Sequence, residues 1–259
     1  MSDAAVFPLL DVSGIKLAFG GVRAVDDVSL SVAPGSITGL IGTNGAGKTT
    51  LFNIVSGFLK PNAGIIRLDG ADITPLAPHA IAGRGLLRTF QTAVGFPRLT
   101  VMENMLAFSQ ADRAARLSLL SGRRLDRATQ ERAEEILASF GLIHRRDHWC
   151  RDLSSPELKM LEFARAMMAR PRLMLLDEPA AGINPALMES LAERIKALRL
   201  QGVSFLLVDH NLRFVCDVCD DVYAMADGRV IAQGPTRDVI ENPKVLELYI
   251  GPPPEQTRH

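Results

Sequence analysis

The chain has 259 residues, with 29 basic and 29 acidic side chains, 47% hydrophobic and 22% charged content. A chain of this length supports one large domain or two small ones and buries roughly 70–75% of its unfolded surface on folding. Its apolar content excludes disorder, and its zero net charge argues against a general nucleic-acid binder, which carries a basic excess. No run approaches the ~18 consecutive apolar residues of a membrane span, and Met1-Ser2-Asp3-Ala4 lacks the basic-then-apolar pattern of a secretory leader. Three cysteines are too few, and odd in number, for a disulfide framework, so a reducing, cytoplasmic setting is expected.

In chain order, Leu9–Leu17, Val25–Val32 and Ile37–Ile41 read as strands, with Pro34-Gly35-Ser36 turning between the last two. A glycine-rich loop follows at 42–48, then a helix over Thr49–Leu59 that ends near Pro61, and Ile65–Leu68 with the Asp69-Gly70 turn suggests a short hairpin. From Val101 to about Leu142 the chain is rich in Ala, Leu, Arg and Glu and reads as helices broken near Ser118–Arg124; Ala133, Ile136, Leu137 and Phe140 share one face. Pro156–Ala169 reads as a helix with Ser155 as its N-cap, Leu173–Leu176 as a buried strand, and Pro185–Leu200 as a helix. Val203–Val208 is a second apolar strand, a helix starts near Leu212, and Val222–Ala226 and Val230–Ala232 flank an Asp227-Gly228 turn. Strands alternating with helices predict a parallel sheet covered on both faces.

Gly42-Thr43-Asn44-Gly45-Ala46-Gly47-Lys48-Thr49 matches G-x-x-x-x-G-K-[ST]. Glycines allow positive φ, so that successive N–H groups point inward at phosphate oxygens, and the following helix turns its positive end to the same anion. Lys48 is placed to reach the β- and γ-phosphates, and the Thr49 hydroxyl to ligate Mg²⁺. Leu173–Leu176 then runs into Asp177 and Glu178. Ligands gather at the carboxyl ends of parallel strands, so Asp177 is expected on the metal and Glu178 as the base that polarises water.

With these residues in place, the chain resembles an ATP-binding-cassette (ABC) transport ATPase along nearly its whole length. Residues 42–49 resemble the Walker A motif and Leu173–Glu178 Walker B with its catalytic Glu. The resemblance implies an α/β fold: a P-loop NTPase (RecA-like) core with an antiparallel β subdomain and an inserted α-helical subdomain. Residues 1–90 and 166–259 would form the core, and 91–165 the insert. It further implies that Gln91, in Thr89-Phe90-Gln91, approaches Mg²⁺ and the water as a Q-loop residue. His210, in Val208-Asp209-His210, would contact the γ-phosphate, and Phe19, 29 residues before Lys48, would stack on adenine. Residues Gly42 to Thr50, with Thr50 closing the cradle, would hold ATP, and Ala181-Gly182-Ile183-Asn184 stands at the D-loop with Asn184 where Asp is usual.

One motif departs from the family. Where Leu-Ser-Gly-Gly-Gln is usual, this chain has Leu153-Ser154-Ser155-Pro156-Glu157. Pro156 has no N–H and Glu157 brings a carboxylate to the positive end of a helix, so of this motif only Ser154 carries over as a nucleotide contact. Two such ATPases sandwich two ATP molecules, each site using one subunit's signature, so an impaired signature favours a heterodimer with a second ABC ATPase over a homodimer.

Gly85 through Gln91, Phe96 through Asn104, Pro179 through Pro185 and Gly228 through Gly251 resemble the ATPases of branched-chain amino acid importers. That subfamily implies two transmembrane permease subunits, an extracytoplasmic solute-binding protein, a peripheral place on the cytoplasmic face of the inner or plasma membrane, and no nucleic acid. Phe96, Leu99 and Met102 fit either a groove for a membrane subunit or subdomain core. An export-type ATPase, such as one for lipopolysaccharide, a soluble ABC protein and a regulatory nucleotide binder remain as alternatives. Cys216-Asp-Val-Cys219 lacks the further ligands of a zinc site, and structural packing is expected for it.

Overall fold

Among the described residues two sheets carry the strands, and the difference between them follows from what covers each. The computed structural model describes residues 7–89, 95–109 and 127–250, and the chain divides into two compact units, Met1–Arg88 with Arg172–His259, and Thr89–Pro171.

In the first unit, β1 (Leu10–Phe19), β2 (Val22–Val32), β4 (Ala63–Leu68) and β5 (Ala71–Asp72) form an antiparallel sheet in the order β2-β1-β4-β5. β1 and β2 alternate buried and exposed positions along much of their length, as one-sided strands do. The second sheet has six strands in the order β10-β9-β3-β8-β7-β6. Here β3 (Ile37–Gly42), β7 (Leu173–Asp177) and β8 (Ser204–Val208) are buried at every position, as strands covered on both faces must be. β6 (Leu86–Arg88), β7, β8, β3 and β9 (Asp221–Ala226) run parallel, and β10 (Arg229–Pro235) returns antiparallel along β9. This α/β arrangement fits the P-loop architecture expected from the resemblance, and a common hydrophobic cluster joins residues of both sheets, including Leu10, Val28, Phe52, Leu175 and Leu206.

Four helices cited below belong to this unit: α1 (Lys48–Val55), α6 (Pro185–Leu200), α7 (Leu212–Val218) and α9 (Pro243–Ile250). The predicted helix over Thr49–Leu59 is cut short. Ser56 closes it, and Gly57 takes φ +79°, where a Cβ would lie 2.9 Å from the Leu76 carbonyl oxygen. Glycine at that bend ends the helix a turn early. Asn184 caps α6 by accepting the Leu187 N–H at 2.9 Å, a task Asn performs as well as Asp.

The second unit is helical, with α3 (Val101–Leu106), α4 (Arg127–Ser139) and α5 (Ser155–Met168). On and just after α4, Ala133, Leu137 and Phe140 are buried as their spacing predicts, with Ile136 half-buried. The predicted break near Ser118–Arg124 lies outside the described residues. Asn104, fully buried, ties down the preceding segment: its Oδ1 accepts the Phe96 N–H, and its Nδ2 donates to the carbonyls of Phe96, Leu99 and Thr100. Met102 is buried here, Leu99 half-buried and Phe96 exposed.

The N-cap of α5 is Ser154, not Ser155. Ser154 and Glu157 form a capping box, in which each satisfies the other's backbone N–H. Serine followed three residues later by Glu selects the register, and Pro156 is tolerated in the first turn either way.

Among the described residues, no helix is long and apolar enough to cross a membrane. The packing sets an expectation for stability. Phe205, fully buried on the central strand β8, should cost about 3–5 kcal/mol when cut to Ala. Leu200, 88% exposed at the end of α6, should change stability by less than about 0.5 kcal/mol. Urea unfolding followed by circular dichroism measures both.

Candidate active site

β3 delivers the chain to the phosphate loop, and two contacts explain why the loop needs its glycines. Gly42 has φ +151°, and a Cβ there would lie 2.3 Å from the Met225 carbonyl oxygen of β9. Gly47 has φ +96°, and its Cβ would lie 2.3 Å from the Ala24 carbonyl oxygen of β2. The loop is therefore wedged between two strands that admit only glycine. Backbone hydrogen bonds close the wedge: the Gly228 N–H donates to the Ala46 carbonyl and the Asp26 N–H to the Gly228 carbonyl. The Gly42 N–H donates to the Tyr249 hydroxyl of α9 at 2.8 Å.

The helix that follows begins without a side-chain cap and with no acidic residue in its first turn. Its leading N–H groups and the positive end of its dipole are left for an anion. Lys48, 8% exposed, is held inside the loop by its own carbonyls: Nζ donates to Gly42 O at 2.6 Å and Thr43 O at 2.8 Å. Burial pushes the Lys48 ammonium below the usual lysine range, while the Glu178 and Asp177 carboxylates pull it back.

Those two acids stand at the end of β7. Asp177 is buried, and its Oδ2 accepts from Arg88 Nη2 at 2.6 Å. Its Oδ1 is buried with no hydrogen-bond partner among the described residues. Glu178 adopts φ +48°, unusual for a residue with a side chain, and its N–H donates to Val208 O at 2.8 Å. Asp209, fully buried, ties the ends of β7 and β8 together: Oδ2 accepts the Ala180 N–H and Oδ1 the Asn211 N–H, each at 2.9 Å. His210 then projects outward, 62% exposed, with Nδ1 4.0 Å from Glu178 Oε1.

A cleft of about 420 Å³ is lined by Asn44 through Thr50, Glu178, Val22–Ala24 and Asp227-Gly228. Asn44, Gly45 and Thr49 are exposed, Thr50 half-buried and Ala46 buried. Phe19 is 51% exposed and is the ladder partner of Val22, which lines the cleft, though Phe19 itself does not. Ser154 belongs to the helical unit, where its hydroxyl donates to Glu157 Oε2 at 2.7 Å. Gln91 lies outside the described residues. Among the described residues no group of three His, Cys, Asp or Glu side chains is placed to hold an ion, around Cys216 and Cys219 or elsewhere. Cys219, its thiol pushed up by burial, packs by Gly39, whereas Cys216 is exposed.

Three residues at the site escaped the sequence reading: Arg88, Asp209 and Tyr249. Arg88 carried a signal, as a charge ending a short apolar strand just before Thr89-Phe90-Gln91. Asp209 carried one as an acid between a buried strand and His210. Tyr249 carried none, because its contact is 207 residues away.

The donor chemistry fits Mg²⁺. An orphaned, buried carboxylate oxygen at Asp177 and a hydroxyl at Thr49 are hard oxygen donors, and Mg²⁺ is usually held by one or two carboxylates plus substrate phosphates rather than by a protein cage. Lys48→Ala should weaken nucleotide binding about 10–100-fold, the worth of a hydrogen bond to a charged group. Gly47→Ala should do at least as much by closing on Ala24; fluorescent-nucleotide titration measures both.

The comparisons with known proteins agree with this geometry. The family model described as "ABC transporter" matches residues 25–181. A probable branched-chain amino acid transport ATP-binding protein, LivG, of Archaeoglobus fulgidus is 42% identical over 245 residues, covering 94% of this chain and 95% of that protein. The high-affinity branched-chain amino acid transport ATP-binding protein BraF of Pseudomonas aeruginosa is 38% identical, covering 94% and 98%. Among solved structures, the ADP conformation of an ATP-binding cassette of an ABC transporter is 34% identical with a TM-score of 0.84, covering 95% of this chain and all of that one. With a Walker-type loop wedged between two strands, a carboxylate pair at the end of β7 and relatives matched over nearly its full length, the chain belongs to the ABC transporter family as an ATP-binding cassette.

Proposed function

We propose that the chain is the ATP-hydrolysing subunit of an importer for branched-chain amino acids or related small solutes. It would work at the cytoplasmic face of the membrane, beside two transmembrane permease subunits and downstream of an extracytoplasmic solute-binding protein. The observation that carries the hydrolytic part is that Lys48 and Glu178 line one cleft with residues 44–50, while His210 Nδ1 stands 4.0 Å from Glu178 Oε1. The transport part is supported by the branched-chain amino acid transport ATP-binding proteins that match 94% of the chain.

In this reading the N–H groups of residues 44–50 cradle the β- and γ-phosphates, and Phe19, beside the cleft, stacks on adenine. Lys48 trades its two loop carbonyls for phosphate oxygens, an exchange that offsets the cost of its burial. Thr49, Asp177 and Gln91 are the residues to hold Mg²⁺, which when bound neutralises charge on the β- and γ-phosphate oxygens. Glu178 takes the proton of the attacking water as its oxygen bonds to the γ-phosphorus and the bond to the β,γ-bridging oxygen breaks. His210 donates to the γ-phosphate, stabilising charge as it develops.

The capping box on α5 supports pairing with a different ATPase. Glu157 Oε2 accepts both the Ser154 N–H and the Ser154 hydroxyl, and Glu157 Oε1 pairs with Arg145 at 2.8 Å. The serine that a signature motif would offer to a partner's γ-phosphate is engaged within its own helix start, next to a negative charge. Burial pushes the Glu157 carboxyl up, but hydrogen bonds to Ser154 and to Arg145, with the Arg145 charge, together outweigh it and hold the group below the usual range.

Two outcomes follow. Glu178→Gln should lower turnover about 10²–10⁴-fold in the assembled transporter while leaving ATP affinity within about twofold, and full turnover in that variant would remove Glu178 from the chemistry. The isolated Glu178→Gln chain with Mg-ATP should remain monomeric by light scattering and should dimerise once its co-purifying ATPase is added. A stable homodimer would overturn the pairing.

A further inference from the structure

We propose that Arg88 is a positioning residue that aims Asp177 at the metal and ties that aim to the phosphate helix; this rests on the reading of Asp177 as a Mg²⁺ ligand. Arg88 ends β6, and its guanidinium fork is split between two elements. Nη2 donates to Asp177 Oδ2 at 2.6 Å, while Nη1 donates to Asn53 Oδ1 at 2.6 Å and to Ser56 Oγ at 3.2 Å, at the C-terminal end of α1. The group is 10% exposed, Asp177 5%, and the guanidinium carbon lies 5.8 Å from the Phe52 ring centroid and 5.9 Å from that of Phe58.

Arginine–carboxylate pairs are frequently bidentate, with both limbs of the fork on the two oxygens. Here one limb goes to Asp177 and the other to the phosphate helix. Among the described residues Asp177 is thus pinned by a single oxygen, and Oδ1 is left buried without a donor. A desolvated carboxylate oxygen with no partner is unfavourable unless a cation completes it. The split also means that the helix whose first turn receives phosphate and the carboxylate that receives the metal share one rigid connector. Lysine gathers its three donors on one nitrogen at the end of a flexible stem, so it cannot hold the two elements apart at a fixed angle as the planar fork of Arg does.

The test separates metal binding from nucleotide binding. A fluorescent ATP analogue is titrated against the full-length chain in EDTA and in Mg²⁺, and the ratio of the two dissociation constants measures the metal's contribution. Mn²⁺ electron paramagnetic resonance reports the metal environment independently. Asp177→Asn serves as the control for the underlying reading. Arg88→Met and Arg88→Lys are each expected to leave affinity in EDTA within about twofold and to reduce the Mg²⁺ enhancement about 10-fold or more, the scale on which outer-shell partners act. Asn53→Ala, which does not touch Asp177, should reduce it in the same direction by a smaller factor. It carries the test with Arg88→Lys should Arg88→Met fail to fold.

Wild-type enhancement in the Arg88 variants, or full rescue by Lys, would overturn the positioning role while a loss in Asp177→Asn keeps the metal reading intact. Wild-type enhancement in Asp177→Asn would overturn the metal reading itself.

Discussion

The active site depends on a steric constraint: at Gly42 and Gly47 the phosphate loop runs so close to the backbones of Met225 and Ala24 that neither position has room for a Cβ. Those two approaches hold the loop between β9 and β2 and set the start of α1. From that fixed loop the rest of the site follows. The leading N–H groups of the helix face outward uncapped, the Lys48 ammonium is folded back onto the Gly42 and Thr43 carbonyls, and the end of β7 stands close enough for both acids to act on that charge. Elsewhere side chains do the fixing. Asp209 locks the turns after β7 and β8 to each other, and Arg88 locks β7 to α1.

Charge is balanced locally rather than globally. The chain has no net charge, yet a buried ammonium, a buried guanidinium and two carboxylates crowd the carboxyl end of one sheet. Such a cluster is poorly explained as a source of stability, since desolvating ions costs more than most pairs return. It is well explained as a preorganised receptor for a highly charged substrate, with partners already oriented before the substrate arrives. Membership of the ABC transporter family and the geometry thus account for each other. The α5 start shows the converse: the N–H and hydroxyl of Ser154 are both taken up by Glu157 within the same helix start.

Much of this was legible in the sequence because the informative signals are local. The glycine spacing of residues 42–48, the apolar runs that end at Asp177 and Asp209, and the Asp227-Gly228 turn each act over a few residues. The less legible features come from contacts that cross the chain. Arg88 meets Asn53 and Asp177, 35 and 89 residues away, so its place at the end of a short apolar strand marks it without naming either partner. The length of α1 was overestimated because the Gly57 bend is enforced by Leu76 and Ile81, which no helical periodicity contains. The N-cap of α5 was placed one residue late because Ser154 and Ser155 are equally good caps by type; only the Ser154–Glu157 reciprocity decides between them.

The central claim is that Lys48, Thr49, Asp177, Glu178 and His210 serve one bound triphosphate, and a crystal structure of the full chain with Mg²⁺ and a non-hydrolysable ATP analogue tests it most directly. The account predicts that Lys48 Nζ leaves the Gly42 and Thr43 carbonyls for β- and γ-phosphate oxygens, with Thr49 and Asp177 on the metal and Glu178 and His210 facing the γ-phosphate. An analogue bound away from residues 44–50, or a Lys48 still seated on its two carbonyls beside bound phosphate, would contradict it.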